Sequence, residues 1–367
     1  MTDKTLDSLR LDIDRIDRTI HELLNERAVC AQHVADVKLA EKKATGSDAP
    51  VLFYRPEREA QVLAKVKERN QGPLPDNAVA HIFREIMSAC LALEEPVKVA
   101  YLGPKGTFTH SAAIKHFGYA VDAIPTESIE EVFAGVETGE MNYGIVPVEN
   151  SSQGIVALTL DNFMQSSVTI CGEVELPVKH MLLANANVDQ AKISKICAHQ
   201  QALAQCKQYL DKHWPDVIRE PVSSNARACQ MAAEDSAILA IASSNAADLY
   251  DLSILDENIQ DYRTNTTRFL ILGQEEVGPS GSDKTSIIVS VKNKPGALFV
   301  LLEAFEREQV MLTRIDTRPS RTEKWAYVFF IEFEGHQQDA VIQKILQDLS
   351  TKSIAIKMLG SYPKAVL

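Results

Sequence analysis

Leu6, Leu9, Ile13, Ile16, Ile20 and Leu23 recur at steps of three and four. That spacing places all six on one narrow stripe of an α-helix. Charged residues such as Asp12, Asp14, Arg15 and Arg18 fill the other faces. The pattern runs to about Ala40, longer than a helix in a compact monomer is expected to be, so the seam needs a second chain to cover it. A loop with Gly46, Ser47, Asp48 and Pro50 follows. A second helix is predicted from Pro56, a favourable first-turn residue, to about Arg69. Gly72-Pro73-Leu74-Pro75 ends it, and a third helix covers roughly Asn77 to Leu93. Residues 1–95 therefore read as an all-α, dimerising block.

From Val97 the texture changes. Short apolar runs (Val97–Leu102, Tyr143–Val148, Val168–Cys171, Ile193–Ala198, Ile238–Ala242, Arg268–Leu272) alternate with helical stretches, an α/β pattern over residues 97–274. Ser224 is placed to cap a helix starting at Asn225. Gly278-Pro279-Ser280-Gly281-Ser282-Asp283 is a linker. Beyond it, residues 284–367 carry a strand (Ser286–Val291), a helix (Ala297–Glu308), strands at Leu312–Thr317 and Trp325–Glu334, a helix (Asp339–Leu349) and a strand (Ile354–Leu359). This βαββαβ order is the ferredoxin-like α+β plan. A chain of 367 residues suits such a multidomain division.

A net charge of −12 argues against nucleic acid or an anionic membrane as the main partner. No apolar run reaches the ~18 residues that span a bilayer, and Met1-Thr2-Asp3-Lys4 does not open a secretion signal. Cys30, Cys90, Cys171, Cys197, Cys206 and Cys229 form no CxxC pair and read as reduced, mostly buried thiols of a cytoplasmic protein. The histidines are scattered, so neither a metal nor another cofactor is expected.

Arg27 and Lys38 share one helical face about 16 Å apart, whereas Arg10 lies about 25 Å before Arg27. No small ligand touches all three on one straight helix. With Leu9-Arg10, Ile16-Asp17, Asn25-Glu26-Arg27, Lys38, Arg55-Pro56-Glu57-Arg58-Glu59 and Ile82-Phe83-Arg84-Glu85-Ile86, the block resembles the all-helical chorismate mutases. The resemblance implies that Arg10, Arg27, Lys38 and Arg58 hold the carboxylates and ether oxygen of chorismate and that Glu59 accepts its hydroxyl. Arginine forks suit carboxylates, and the pericyclic rearrangement needs positioning and charge rather than a nucleophile. Three positions depart from one common version of the pattern. Cys90 stands for serine, Arg55 for aspartate, and Glu94 for the glutamine that donates to the ether oxygen. Glu94 donates only when protonated, and its unperturbed pKa is about 4.3, so burial has to raise it.

The central block carries Gly103-Pro104-Lys105-Gly106-Thr107-Phe108, Val146-Pro147-Val148-Glu149-Asn150-Ser151 with Gly154, Ser223-Ser224-Asn225-Ala226, and Asn265-Thr266-Thr267-Arg268-Phe269. These segments resemble the prephenate dehydratases, whose fold is similar to two-lobed periplasmic binding proteins with the site between the lobes. The resemblance implies that Thr267 is catalytic, giving a hydrogen bond or proton to the leaving hydroxyl of prephenate. Thr107, Glu149, Asn150, Ser151, Gln201, Ser223 and Asn225 are placed at the cleft, and Arg268 serves either a substrate carboxylate or a structural ion pair. Ala198-His199-Gln200-Gln201 stands where the family often has Ser-His-Pro-Gln. Gly103-Pro104-Lys105-Gly106 lacks the remainder of a phosphate loop, so no nucleotide is expected.

The C-terminal block, with Asn293-Lys294-Pro295-Gly296-Ala297-Leu298 and Asp316-Thr317-Arg318-Pro319, resembles an ACT domain. That implies L-phenylalanine held between two such domains, with Asn293, Pro295, Gly296, Ala297, Leu298, Thr317 and Arg318 at the site. Gly296 allows close backbone approach at a helix N-terminus, where free N–H groups favour a carboxylate. The whole chain resembles the bifunctional chorismate mutase–prephenate dehydratases, which implies a homodimer or higher oligomer under phenylalanine feedback. Two other readings remain: a dehydratase on a silent helical arm, kept open by Glu94, Cys90 and Arg55, and a non-catalytic amino-acid sensor.

Overall fold

The structure, a computed structural model, describes residues 5–46, 51, 53–262, 264–292, 294–319 and 327–366. Three helices come first: α1 (Leu6–Thr45), α2 (Pro56–Arg69) and α3 (Asp76–Glu94). Thr5 Oγ1 caps α1 by accepting from Ser8 N at 3.3 Å, and Gly46 in left-handed conformation ends it. The expected seam is uncovered: Leu9, Ile13, Ile16, Ile20 and Leu23 are 40–58% exposed, and only Ala35 of α1 is buried. None of the described helices is long and apolar enough to cross a membrane.

The α/β block is two lobes. The first holds β1 (Lys98–Leu102), α4 (Phe108–Phe117), β2 (Asp122–Thr126), α5 (Ile129–Glu137), β3 (Tyr143–Asn150), β4 (Gly154–Ile155), α6 (Ala157–Phe163) and β5 (Thr169–Pro177). The second holds β6 (Met181–Ala184), β7 (Lys195–His199), α7 (Gln200–Gln205), α8 (Lys207–His213), β8 (Ile218–Val222), α9 (Asn225–Glu234), β9 (Ile238–Ala242), α10 (Ser244–Leu249) and β10 (Ser253–Asp256). The chain then returns to the first lobe as β11 (Thr266–Gly273), which inserts antiparallel between β3 and β5. The sheet orders are β2-β1-β3-β11-β5 and β10-β6-β9-β7-β8. Ser224 caps α9 as expected, accepting from Arg227 N at 3.0 Å.

The C-terminal block runs β12 (Asp283–Ser290), α11 (Ala297–Arg307), β13 (Leu312–Pro319), β14 (Tyr327–Glu334), α12 (Ala340–Lys352) and β15 (Ala355–Pro363). Its sheet order is β13-β14-β12-β15. Trp325, expected to open β14, and Asn293 lie outside the described residues. Strand alternation gives this sheet two apolar faces. Ile287, Val289, Ile331 and Phe333 pack under the helices with Leu301, Phe305, Ile342 and Ile345. Ile288, Phe330, Leu359 and Tyr362 share a core with Val146, Val148, Leu160, Ile170 and Leu270 of the first lobe. The approach is close: a Cβ on Gly360 would meet the Ile170 carbonyl oxygen at 2.4 Å.

Charge is buried in the same interface. Arg268 Nε donates to Glu173 Oε2 at 2.7 Å, and its Nη2 donates to Glu332. Lys284 reaches Glu173 at 3.0 Å and Glu332 at 3.6 Å, and Tyr362 donates to Glu332 at 3.0 Å. Burial alone raises the Glu332 pKa, but Arg268 and then Lys284 and Thr313 overcome it and hold the carboxyl down at about 2. A depressed carboxylate stabilises the fold above its unfolded value and loses that contribution as pH falls. The C-terminal block is therefore expected to lose about 3 kcal/mol between pH 4.5 and pH 2 through this group. Urea titrations across that range check it: Glu332→Gln should start weaker at pH 7 and show a flatter acid profile.

Candidate active sites

A cavity of about 270 Å³ opens between the two lobes. Thr267 on β11 faces Asn150 on β3 across the antiparallel register. Asn150 Nδ2 donates to Thr267 Oγ1 at 2.8 Å, and Asn150 Oδ1 accepts from Ser152 N at 3.0 Å, which fixes the amide. With Oγ1 accepting from Asn150, the Thr267 hydroxyl proton is directed to another acceptor, and Thr267 lines the cavity.

Adjacent residues on a strand face opposite ways, and this corrects two of the expected cleft positions. Glu149 and Arg268 form the next register pair and turn to the C-terminal block, Glu149 lying 3.6 Å from Arg314. Of the two roles open to Arg268, the structure gives it the ion pair. Ser151 sits in the turn after β3, accepting from Thr266 N at 3.0 Å, and does not line the cavity.

Thr107, Gln201, Ser223 and Asn225 do line it. Thr107 caps α4, accepting from His110 N at 3.3 Å. Asn225, at the start of α9, accepts from His199 N at 2.8 Å and so ties β7 to α9. No lysine or arginine is among the described residues lining this cavity. The N-terminal turns of α4 and α9 open onto it instead, and helix N-termini bind anions through backbone N–H groups and the dipole. Such an arrangement suits a carboxylate without placing a fixed cation beside it.

The sequence reading missed His180 and Gln205. His180 is 2% exposed, and its Nε2 bonds Gln205 Oε1 at 2.7 Å. His180 Nδ1 and Gln205 Nε2 are buried without a partner, and both residues line the cavity. Burial depresses the His180 pKa, with the Gln205 bond working the other way, so the ring is neutral at pH 7. One signal was available: Gln201 and Gln205 are four apart and share a helical face.

A second cavity, about 380 Å³, lies between α1, α2 and α3 and is lined by Arg27, Lys38, Arg58, Glu59, Cys90 and Glu94. Six residues scattered over some seventy positions thus meet in one place. Arg55 lines it too, whereas Arg10 is far out on α1, 3.7 Å from Asp7, as the spacing required. Lys38 Nζ donates to the Phe53 carbonyl at 3.3 Å. Burial raises the Glu94 pKa, opposed by Lys38 and Arg27. Burial also raises that of Glu59, opposed by Arg84.

In the C-terminal block Gly296 (φ 79°) precedes α11, whose first turn has no side-chain cap. Pro295, Ala297 and Leu298 flank it at that opening. Thr317 is exposed on the edge strand β13. Arg318 is engaged in a two-bond ion pair with Asp161 of α6, both bonds 2.7 Å.

Family models match in the same order: chorismate mutase type II over residues 9–95, prephenate dehydratase over 99–277 and the ACT domain over 285–351. A bifunctional chorismate mutase/prephenate dehydratase of Pseudomonas aeruginosa is 53% identical over 99% of this chain and 98% of its own length. The chain belongs to the bifunctional chorismate mutase/prephenate dehydratase family. The family member from Aquifex aeolicus is 45% identical, with 99% of each chain covered. The solved prephenate dehydratase of Arthrobacter aurescens in complex with L-Phe superposes with a TM-score of 0.68 at 33% identity, covering 73% of this chain and 90% of that one.

For a chorismate mutase/prephenate dehydratase built this way, Thr267→Ala should lower dehydratase kcat by about 10²–10⁴, the usual range for a lost proton donor. Turnover of prephenate and of chorismate in one preparation checks it, since the chorismate rate should not change.

Proposed function

We propose that this chain rearranges chorismate to prephenate in the helical block and converts prephenate to phenylpyruvate in the interlobe cleft, under feedback from phenylalanine bound by the C-terminal block. The observation that carries the reading is the Thr267–Asn150 pair, in a cleft whose described lining has no lysine or arginine.

In the dehydratase step, prephenate loses CO₂ and its ring hydroxyl as the ring becomes aromatic. Thr267 donates to the departing hydroxyl, and Asn150 holds the threonine oxygen in place. The electrons of the breaking carboxyl bond move into the ring as the C–O bond breaks. Helix N-termini hold the carboxylates, with Thr107, Gln201, Ser223 and Asn225 as neutral polar contacts. His180 and Gln205, each with one unpaired buried polar atom, line the same space.

In the mutase step, Arg27, Arg58 and Lys38 hold the dianion in its compact conformer and Glu59 takes the hydroxyl. Protonated Glu94 donates to the ether oxygen as charge builds there. Arg10 completes the site from the partner subunit, because its own pocket is out of reach and the exposed seam of α1 calls for a second α1. The gathering of six of the seven expected side chains, all but Arg10, supports an active mutase over a silent arm. Phenylalanine is read at the opening of α11, with the exposed edge of β13 available to a second ACT sheet. The Cys residues are free thiols, in keeping with a cytoplasmic compartment.

Chorismate supplied alone should disappear and phenylpyruvate should form, both slowed by phenylalanine. Phenylpyruvate from added prephenate but not from chorismate would overturn the mutase assignment. No product from either substrate would overturn both. The mutase should also lose activity as pH rises through the raised Glu94 pKa, and Glu94→Gln should remove that alkaline limb. Rates of chorismate loss from acid to alkaline pH decide the point.

A further inference from the structure

Arg84 on α3 is 6% exposed and touches two domains at once. On one side its Nε lies 2.9 Å from Glu59 Oε1, an ionic contact off the hydrogen-bond line. On the other side Nη1 donates to the Lys115 carbonyl at 3.3 Å and to the His116 carbonyl. Those carbonyls close α4, the helix whose other end begins at Thr107 in the dehydratase cleft. The last carbonyls of a helix lack partners and carry its negative end, so a cation is favoured there. Neighbours on α3 strengthen the joint: Glu85 accepts from Tyr119 N at 3.1 Å, and Ser88 Oγ accepts from Ala120 N at 3.3 Å. Gly118 sits so close that a Cβ would meet Ser88 Cβ at 2.5 Å.

We propose that Arg84 is a positioning residue for the mutase reaction: clamped by the carbonyl end of α4, it holds the Glu59 carboxylate toward the chorismate cavity. The proposal rests on the reading of Glu59 as the acceptor of the substrate hydroxyl. A glutamate has three side-chain torsions, and locking them in advance removes an ordering cost from the transition state. The dehydratase domain is thereby part of the mutase's scaffold.

Charge acts in the same direction. Burial pushes the Glu59 pKa up and Arg84 pulls it down. Tyr54, Lys115, His116, Glu173 and Lys364 surround the joint on its other sides, and Arg27, Lys38, Arg58 and Glu94 face Glu59 across the cavity. Without Arg84 the carboxylate ionises only at higher pH, so the acid limb of the mutase profile moves upward.

The test uses the full chain with Arg84→Gln, Arg84→Lys and Glu59→Gln. Arg84→Gln should lower mutase kcat about a hundredfold, the cost of a small misplacement of a reacting contact, and should shift the acid limb to higher pH. Arg84→Lys should recover part of both. Phenylpyruvate formation from prephenate in the same samples should stay within about twofold, which certifies the fold. An unchanged mutase rate, a rate loss with an unmoved acid limb, or equal loss of both activities would each overturn the proposal. Full mutase activity in Glu59→Gln would instead remove the reading of Glu59 on which it stands.

Discussion

The pairing of β3 with β11 is the constraint on which the rest of the molecule depends. Two neighbouring register pairs, Asn150 with Thr267 and Glu149 with Arg268, face opposite sides of one sheet. One side is the cleft. The other carries the buried charges that dock the C-terminal sheet. A chemical residue and a docking residue are therefore separated by a single peptide unit, and neither shifts without the other. A buried ion group of this kind contributes little net stability over an apolar replacement. What it does is forbid sliding, because every displaced charge would be left unpaired.

Much of this was readable in advance. Helix periodicity located α1 to α3 to within a few residues of their observed limits, and the βαββαβ order of the last block followed from alternating apolar runs. Five strands escaped: β2, β4, β6, β8 and β10. β2 and β8 are edge strands that contain Pro125 and Pro221, and proline argues against a strand except at an edge. The motif around Thr267 marked the right segment but not the facing of each residue within it. Strand alternation separates Thr267 from Arg268 only once the strand itself is granted. His180 and Gln205 lay outside the quoted motifs and meet only where the segment just before β6 comes against the end of α7.

The helical block shows a different limit. Spacing along a straight helix was enough to say that Arg10 cannot serve the same pocket as Arg27 and Lys38, and the structure agrees. What one-dimensional spacing does not carry is the partner of Arg84, more than thirty residues away at the far end of a helix in another domain. Charge placement follows the chemistry in each cavity. The cavity between α1, α2 and α3 is rich in arginine and lysine, as a site for a dianion would be. The described lining of the interlobe cleft has neither lysine nor arginine, which suits the proposed loss of a carboxylate as CO₂.

The second lobe is inserted between β5 and β11, so the two lobes are joined by two crossing segments. These are laced together by Val178 N to Asn265 O at 2.8 Å and Ile259 N to His180 O at 2.9 Å. Arg314, Arg318, Glu332 and Lys357 of the C-terminal block all bind groups of the first lobe or the returning strand. The inserted lobe thus hangs on two bonded segments alone, and the joint between the C-terminal block and the first lobe is built from residues outside it.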